Sequence, residues 1–183
     1  MSPTKPVVIS VNCDPVHRFS KSPRAFIRLR RDYGIEGDAH AGLTVQHRYL
    51  ARRSPTLPNL RQVHLLQAEL FDELAEDGIA LRPGDLGENI TTRGIDLLAL
   101  PCDTRLCLGA SAVVALTGLR TPCSLIDKFH KGLKKRMLVS NPSKPQFRAG
   151  VMAVVIESGE VVPQDTVAID LPAKPWRALP ALP

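Results

Sequence analysis

Short runs of β-forming residues at close spacing are the feature that most constrains the fold. Three such runs follow one another with only short breaks, at Leu97 to Leu100, Thr104 to Leu108 and Ala112 to Thr117. Parallel strands need a crossover of a dozen or more residues between them, and these breaks leave no room for one. The spacing predicts a mainly β fold, a barrel or a sandwich, with a few helices.

Further segments extend this β framework. Val7 to Val11 and Val63 to Leu66 are β-rich runs. From Ala25 to Arg31 apolar and basic residues alternate, which predicts a half-exposed strand with a basic outer face. Val151 to Glu157 and Val161 to Ile169 flank a Ser-Gly pair and predict a terminal hairpin that closes the sheet.

Helical spacing is confined to two regions. Gln67 to Asp77 places Leu70, Phe71 and Leu74 on one face, which predicts a packing helix. After Cys123, apolar residues again recur at helical spacing opposite a lysine-rich face, but Gly132 interrupts the pattern and leaves one helix or two open.

The length of 183 residues suits one domain with a sizeable core. We expect this domain to span residues 1–170. The proline-rich tail at 171–183 is predicted to be extended or disordered and outside the core. No secretory signal or long apolar run is visible, so reduced cysteines, a cytoplasmic location and no membrane association are expected.

An excess of basic residues favours an anionic partner. Lys and Arg number 24 against 18 Asp and Glu, which gives a formal net charge of +6. Aromatic residues make up only 4% of the chain, so base-stacking platforms are scarce and nucleic-acid binding is disfavoured.

Cys123 is the candidate for chemistry, as a nucleophile or a soft metal ligand. The segment from Thr117 to Cys123 follows an apolar run and precedes helical spacing. Thr121 is predicted to cap a helix that starts at Pro122, with Cys123 in its first turn, where unpaired N–H groups and Arg120 favour the thiolate. The alternative is a small buried hydrophobic residue.

Two glycine-rich loops carry further candidates. In the segment from Gly34 to Gly42, His40 lies among glycines that permit a close backbone approach to a ligand. In the segment from Leu81 to Asn89, Glu88 and Asn89 are positioned to face a polar ligand. An ordinary turn is the alternative for the first loop, and for the second loop taken alone it is the favoured interpretation.

Three segments in this order resemble the MOSC domain, named for the C-terminal domain of molybdenum cofactor sulfurases. They are Gly37 to Gly42, Gly84 to Asn89 and Leu119 to Cys123, and the set ends with Arg148 to Met152 and Gly159 to Val161. The resemblance covers about Val7 to Ile169. The ordered set is far more specific than any one segment.

This resemblance implies a barrel-like β fold and binding of the molybdenum cofactor, a molybdopterin. It implies that Cys123 carries sulfur or ligates molybdenum. Arg120, in the same segment, becomes a candidate partner of the cofactor's phosphate or pterin. His40, Asn89, Glu88 and Thr121 become candidate cofactor-binding residues.

The sulfurases that the chain resembles also carry a cysteine-desulfurase domain that uses pyridoxal phosphate. A chain of this length has no room for such a domain, so we expect a stand-alone MOSC protein. Its sulfur would come from a separate desulfurase partner, and a molybdoenzyme would be the acceptor.

Two other functions remain open at this point. The first is a molybdenum-dependent reductase of N-hydroxylated compounds with Cys123 as ligand, which the resemblance also implies. The second is a basic interaction module for RNA or an acidic protein. That module would depend on Arg48, Arg52 and Arg53, and Cys123 would not matter for it.

Overall fold

The structure, a computed structural model, describes residues 5–139 and 147–182. Pro183, at the end of the predicted tail, therefore lies outside the described residues. The described part is mainly β, as the sequence predicts. Its strands are β1 Val7–Cys13, β2 Ser22–Arg24, β3 Ile27–Arg30, β4 Gly34–Ile35, β5 Val63–Gln67, β6 Ile90–Arg93, β7 Arg105–Leu108, β8 Ala112–Arg120, β9 Val151–Glu157, β10 Gly159–Val161, β11 Val167–Asp170 and β12 Ala181–Leu182.

The larger sheet is an open one. Its strand order is β11-β7-β8-β9-β5-β6-β1-β2, with β12 added beside β8. Within the described residues this path does not close, so the prediction of a barrel is wrong. A bridge between Val7 and Thr166 and three main-chain hydrogen bonds join the start of β1 to the beginning of β11 and the turn before it: Val8 N–H to the Asp165 carbonyl at 2.8 Å, Gln164 N–H to the Val8 carbonyl at 2.8 Å, and Val167 N–H to the Pro6 carbonyl at 2.9 Å. They bring two parts of the sheet together without a continuous ladder.

The smaller sheet has the order β10-β3-β4. In β3, Ile27 and Leu29 are buried while Arg28 and Arg30 are exposed, which confirms the predicted strand with a basic outer face. The predicted terminal hairpin is wrong. The strand β10 pairs with β3 in the small sheet, and β11 pairs with β7 in the large one.

Four α-helices occur in the described residues, and none is long and apolar enough to cross a bilayer. They are α1 Arg48–Arg53, α2 Glu69–Glu76, α3 Ser124–Phe129 and α4 Leu133–Arg136. The helix predicted between Gln67 and Asp77 is confirmed as α2. The pattern after Cys123 forms two helices separated at Gly132. The strand predicted at Leu97 to Leu100 is wrong, because Leu97–Ala99 forms a 3-10 turn that the Asp96 carboxylate caps at Leu98 N–H.

Two apolar clusters hold these layers together. The first lies between the two sheets and includes Val8, Leu29 and Leu116. The second lies between the large sheet and helices α2, α3 and α4, and includes Leu66 and Ile126. The loops that form the candidate site emerge beside this second cluster.

The proline-rich tail is part of the fold, in contrast to the prediction that it lies outside the core. Its strand β12 runs parallel to β8 and pairs with Leu119 and Arg120. Leu119 N–H donates to the Pro180 carbonyl at 2.7 Å. Leu179 and Leu182 are buried. The tail therefore supports the end of β8 that leads to Cys123.

We expect Gly118→Val to detach the tail. A Cβ at Gly118 would lie 2.5 Å from the Pro180 carbonyl oxygen, so a larger side chain must push the tail outward. Trypsin should then cleave after Arg177 faster than in the wild type, as measured by mass spectrometry over a time course. Val113→Ile, at the other end of the same strand, is the control. Equal cleavage rates in both variants would contradict this account.

Candidate functional site

A cavity of about 140 Å³ opens where the loops after β1, β4, β8 and before β6 converge. Of the predicted site residues, it is lined by Cys123, Arg120, Thr121, His40 and Asn89. The structure therefore brings together five of the six candidates. The sixth, Glu88, does not line this cavity.

Cys123 differs in its local structure from the prediction. The helix α3 begins at Ser124, so Cys123 is the residue that precedes the helix and does not lie in its first turn. Thr121 does not cap the helix, because its hydroxyl donates to the Leu182 carbonyl in the tail. The thiol is half-buried and faces the cavity. Its predicted ionisation stays a prediction.

Arg120 is held in place by its surroundings. One of its Nη atoms donates to the Leu86 carbonyl at 2.8 Å, and its guanidinium lies 5.8 Å from the centroid of the Phe19 ring. No carboxylate of the described residues forms a salt bridge with it. Its remaining N–H groups keep their capacity to bind an anion.

Sequence reasoning missed several residues of this cavity. Among them are three cations, two histidines and two apolar residues: Arg18, Lys21, Arg61, His47, His64, Phe19 and Met152. Among the described residues that line the cavity, none is Asp or Glu. Burial, and then the charge of Arg120, lower the pKa of Arg61 to about 10. The two guanidinium groups thus lie close enough to make the cavity electropositive.

A buried ion pair joins Lys21, which lines the cavity, to Asp38, which does not line it. Lys21 Nζ contacts Asp38 Oδ2 at 2.6 Å, and the two side chains are only 4% and 0% exposed. Asn89 Nδ2 donates to the same oxygen at 2.9 Å, and His40 N–H donates to Oδ1 at 2.9 Å. Burial raises the pKa of Asp38, but the bonds from His40 and the charge of Lys21 outweigh it and hold the pKa well below its usual range.

This carboxylate also orients the His40 ring. His40 Nδ1 lies 3.3 Å from Asp38 Oδ1, which assigns the ring proton to Nδ1 and leaves Nε2 as an acceptor. Burial lowers the pKa of His40, and the Asp38 hydrogen bond only partly offsets that effect. The imidazole is therefore neutral near pH 7 and adds no positive charge to the cavity.

Two glycines allow the Lys21 segment to approach this closely. A Cβ at Gly84 would lie 2.3 Å from the Lys21 carbonyl oxygen, and one at Gly87 would lie 2.3 Å from the Phe19 carbonyl oxygen. Both glycines have positive φ. The loop between β5 and β6 therefore needs glycine at both positions to pack against residues 19–21.

Glu88 has a structural place beneath the cavity. Its Oε1 accepts hydrogen bonds from Gly84 N–H at 2.6 Å and from the Thr91 hydroxyl at 3.0 Å. No described residue bonds its Oε2. Burial raises the pKa of Glu88 to about 7, although these hydrogen bonds act in the opposite direction.

A larger cavity of about 300 Å³ is lined by Cys13 together with Phe26, Arg28 and Glu36. Burial first, and then the charge of Asp38, raise the pKa of the Cys13 thiol. A protonated thiol is a poor nucleophile and a poor metal ligand. Cys13 is therefore a weak candidate for thiol chemistry.

These features define a class: a mainly β domain with a cysteine beside an electropositive cavity. The sequence profile of the MOSC domain matches residues 52–168. That match spans more than half of the chain, so the protein belongs to the MOSC domain family. A search of curated protein sequences returned no match.

Solved structures share the fold. The YUAD protein from Bacillus subtilis superimposes with a TM-score of 0.74 at 21% identity, over 93% of this chain and 98% of that one. YiiM from Geobacillus stearothermophilus gives a TM-score of 0.69 at 17% identity, over 94% and 79% of the two chains. YiiM from Escherichia coli gives 0.64 at 17% identity, over 96% and 74%. At these identities the likeness shows the fold alone.

We expect Lys21→Met to destabilise the protein by about 3–5 kcal/mol, because it leaves the Asp38 charge buried without its partner. Urea unfolding monitored by circular dichroism measures this cost. Adding Asp38→Asn to that variant should recover part of the loss, since no charge then stays buried. Arg28→Met is the control, because Arg28 and Glu160 are both exposed and such pairs contribute about 0–1 kcal/mol. Equal losses in the two single variants would contradict this account.

Glu88 should make stability depend on pH. Its folded pKa of about 7 lies above the ordinary value of 4.5, so between these values the folded chain holds a proton that the unfolded chain releases. Stability is therefore lost as the pH rises through this window. Between pH 5 and 8, the wild type should lose about 2–3 kcal/mol more than Glu88→Gln. Glu76→Gln, at an exposed position, should lose as much as the wild type; parallel stability curves for all three proteins would exclude this role.

Proposed function

We propose that the cavity beside Cys123 binds the molybdenum cofactor, and that Cys123 acts there by ligating molybdenum or by carrying sulfur. One observation carries the proposal. In a chain of the MOSC family, a half-buried cysteine shares a cavity with Arg120 and Arg61, and no carboxylate of the described residues lines that cavity.

The residues present fit such a cofactor in their chemistry. A thiolate is a soft ligand for a transition metal. Guanidinium groups bind phosphate through forked hydrogen bonds. Within the described residues no group of three or more His, Cys, Asp or Glu side chains is arranged to hold a metal ion. A metal brought in by an organic cofactor would take the Cys123 thiolate as its ligand from the protein.

The size of the cavity limits how much of the cofactor it encloses. Its volume of about 140 Å³ is well below the roughly 300 Å³ or more of typical small-molecule pockets. It would enclose one end of a molybdopterin, and the remainder would lie over the rim. When bound, the cofactor would supply redox chemistry at molybdenum.

Each residue around the thiol has a defined task in this proposal. Arg120, fixed by the Leu86 carbonyl and the Phe19 ring, presents positive charge without having to reorganise. His40 offers Nε2 as an acceptor for an N–H or O–H group. Asn89 is committed to Asp38 and to His64 N–H, so it supports the site rather than binding the cofactor.

For sulfur relay, the Cys123 thiolate would attack the outer sulfur of a persulfide on a donor protein. A new S–S bond forms on Cys123, the donor's S–S bond breaks, and the donor leaves as a thiolate. The transfer needs no outside oxidant or reductant. A cysteine desulfurase that uses pyridoxal phosphate is the donor class, and a molybdoenzyme is the acceptor class.

The remaining alternatives stay predictions. They are reduction of N-hydroxylated compounds, and binding of RNA or an acidic protein through Arg48, Arg52 and Arg53. These arginines lie on α1, which begins at Arg48 and carries Arg52 and Arg53 in its last turn.

The test is cofactor retention by protein expressed in a host that makes molybdopterin. Wild-type protein should carry pterin, measured by fluorescence after oxidation, and molybdenum or a persulfide, measured by metal analysis and intact mass. Cys123→Ser should lose at least about 90% of the molybdenum or persulfide, because a hydroxyl replaces neither role of the thiolate. Arg120→Gln should reduce bound pterin about tenfold or more, through loss of a charged hydrogen bond.

Cys107→Ser is the matched control, because Cys107 is also half-buried but lies on β7, away from the cavity. It should retain the wild-type content. If Cys123→Ser and the wild type contain the same amounts of pterin, molybdenum and persulfide, the proposal is wrong.

A further inference from the structure

A second, apolar cavity lies beside the candidate site. Its volume is about 130 Å³, and its walls are almost entirely apolar. The lining includes Val45, Leu50, Leu57, Leu60 and Leu182. The segment from residue 43 to residue 60, which contains α1, covers it from the outside.

The two cavities share a wall. Arg61 lines both of them. Thr121 lines the site cavity and donates a hydrogen bond to the carbonyl of Leu182, which lines the apolar one. In the covering segment, His47 faces the site cavity and Leu50 faces the apolar one, three residues apart. A molecule that occupied both cavities would therefore place a polar end near Cys123 and an apolar end under α1.

The walls of the apolar cavity are fixed by main-chain hydrogen bonds. Val45 N–H donates to the Leu57 carbonyl at 2.9 Å, and Asn59 N–H donates to the Leu43 carbonyl at 3.0 Å. The Asn59 side chain also donates to the His40 carbonyl at 2.8 Å. The covering segment is thus tied to the loop that carries His40.

The side chains of the described residues do not fill this cavity. Helix α1 has six residues and no buried residue, and a helix that short is not stable by its own hydrogen bonds. Leu57 and Leu60 remain 47% and 45% exposed although they line a preformed cavity. An apolar occupant would remove these leucine surfaces from water and stabilise the covering segment.

We propose that this cavity is a subsite for an aryl or branched alkyl group of the substrate, whose anionic or strongly polar end lies against Arg61 and points to Cys123. The proposal rests on the proposed function in that it takes Cys123 as the point of chemistry. The volume suits this occupant, because an apolar cavity of about 150 Å³ is known to bind benzene. Apart from Arg61 at the wall shared with the site cavity, the lining residues are apolar, so the hydroxyl groups of a sugar would lose their hydrogen bonds to water without replacement.

The experiment compares two probes that differ only in the apolar group, phenylphosphonate and methylphosphonate, by titration calorimetry on the purified full chain. Phenylphosphonate should bind at least about tenfold more tightly, because it has a phenyl ring to bury under α1 and methylphosphonate has none. Leu57→Asp should reduce this preference to about twofold or less. Leu50→Trp, which fills the cavity, should reduce the preference to the same extent. It replaces Leu57→Asp as the test if circular dichroism shows that Leu57→Asp does not fold.

Ile169→Asp is the matched control. Ile169 is 42% exposed, similar to Leu57, but lies on β11. It should keep the full preference for the phenyl probe. The inference is overturned if the wild type binds the two probes equally, if it binds neither, or if the preference persists in both cavity variants. A preference that disappears with Leu57→Asp in a protein that retains no pterin or molybdenum supports the subsite and refutes the proposed cofactor.

Discussion

The buried ion pair between Lys21 and Asp38 is the interaction on which the candidate site depends. An ammonium and a carboxylate removed from water repay their desolvation only in a tight geometry with every remaining hydrogen bond made. Here the contact is 2.6 Å, and Asn89 and the His40 main chain complete the carboxylate's bonds. Three separate loops therefore meet on one side chain. Any other arrangement of these loops would leave a charge buried without a partner.

The same pair explains why the cavity can be electropositive. Asp38 lies close behind it, and a free carboxylate there would cancel part of the charge of Arg120 and Arg61. Because Lys21 already neutralises Asp38, the cavity keeps its positive potential. Glu88 carries only part of a full negative charge near neutral pH, since burial raises its pKa to about 7. Pairing with Lys21 at Asp38 and desolvation at Glu88 thus both limit the negative charge beside the cavity.

The sequence predicts those features that depend on local patterns. The alternation at Ile27 to Arg30 identifies a half-exposed strand because side-chain direction alternates within any strand. The terminal hairpin was predicted wrongly because pairing is not local: Glu160 lies opposite Arg28, and nothing near Ser158 reveals that partner. The barrel was predicted wrongly for the same reason. Closure depends on how the distant ends of the sheet meet, which no local pattern encodes.

The candidate site likewise contains some residues that the sequence predicts and others that depend on contacts between distant parts of the chain. Cys123, His40 and Asn89 belong to sequence segments whose order along the chain resembles the MOSC domain, so their convergence in one cavity was predictable. Lys21 carries no such signal, because a lysine is buried only when the fold supplies a partner such as Asp38. His64 had a weak signal as a polar residue within the apolar run of β5. The sequence predicts that Glu88 faces a ligand, but in the structure its Oε1 accepts hydrogen bonds from Gly84 N–H and the Thr91 hydroxyl instead.

The C-terminal tail contacts the candidate site, and no local sequence pattern indicates this contact. Thr121 would be a good helix cap by residue type, but its hydroxyl bonds the Leu182 carbonyl instead, so the chain enters α3 at Ser124 and Cys123 stays outside the helix. Leu182 at the same time forms part of the apolar cavity. One short strand at the C-terminal end of the described residues thus sets both the position of the thiol and the shape of the space beside it. The part of the sequence that looks least structured therefore determines how a ligand can approach Cys123.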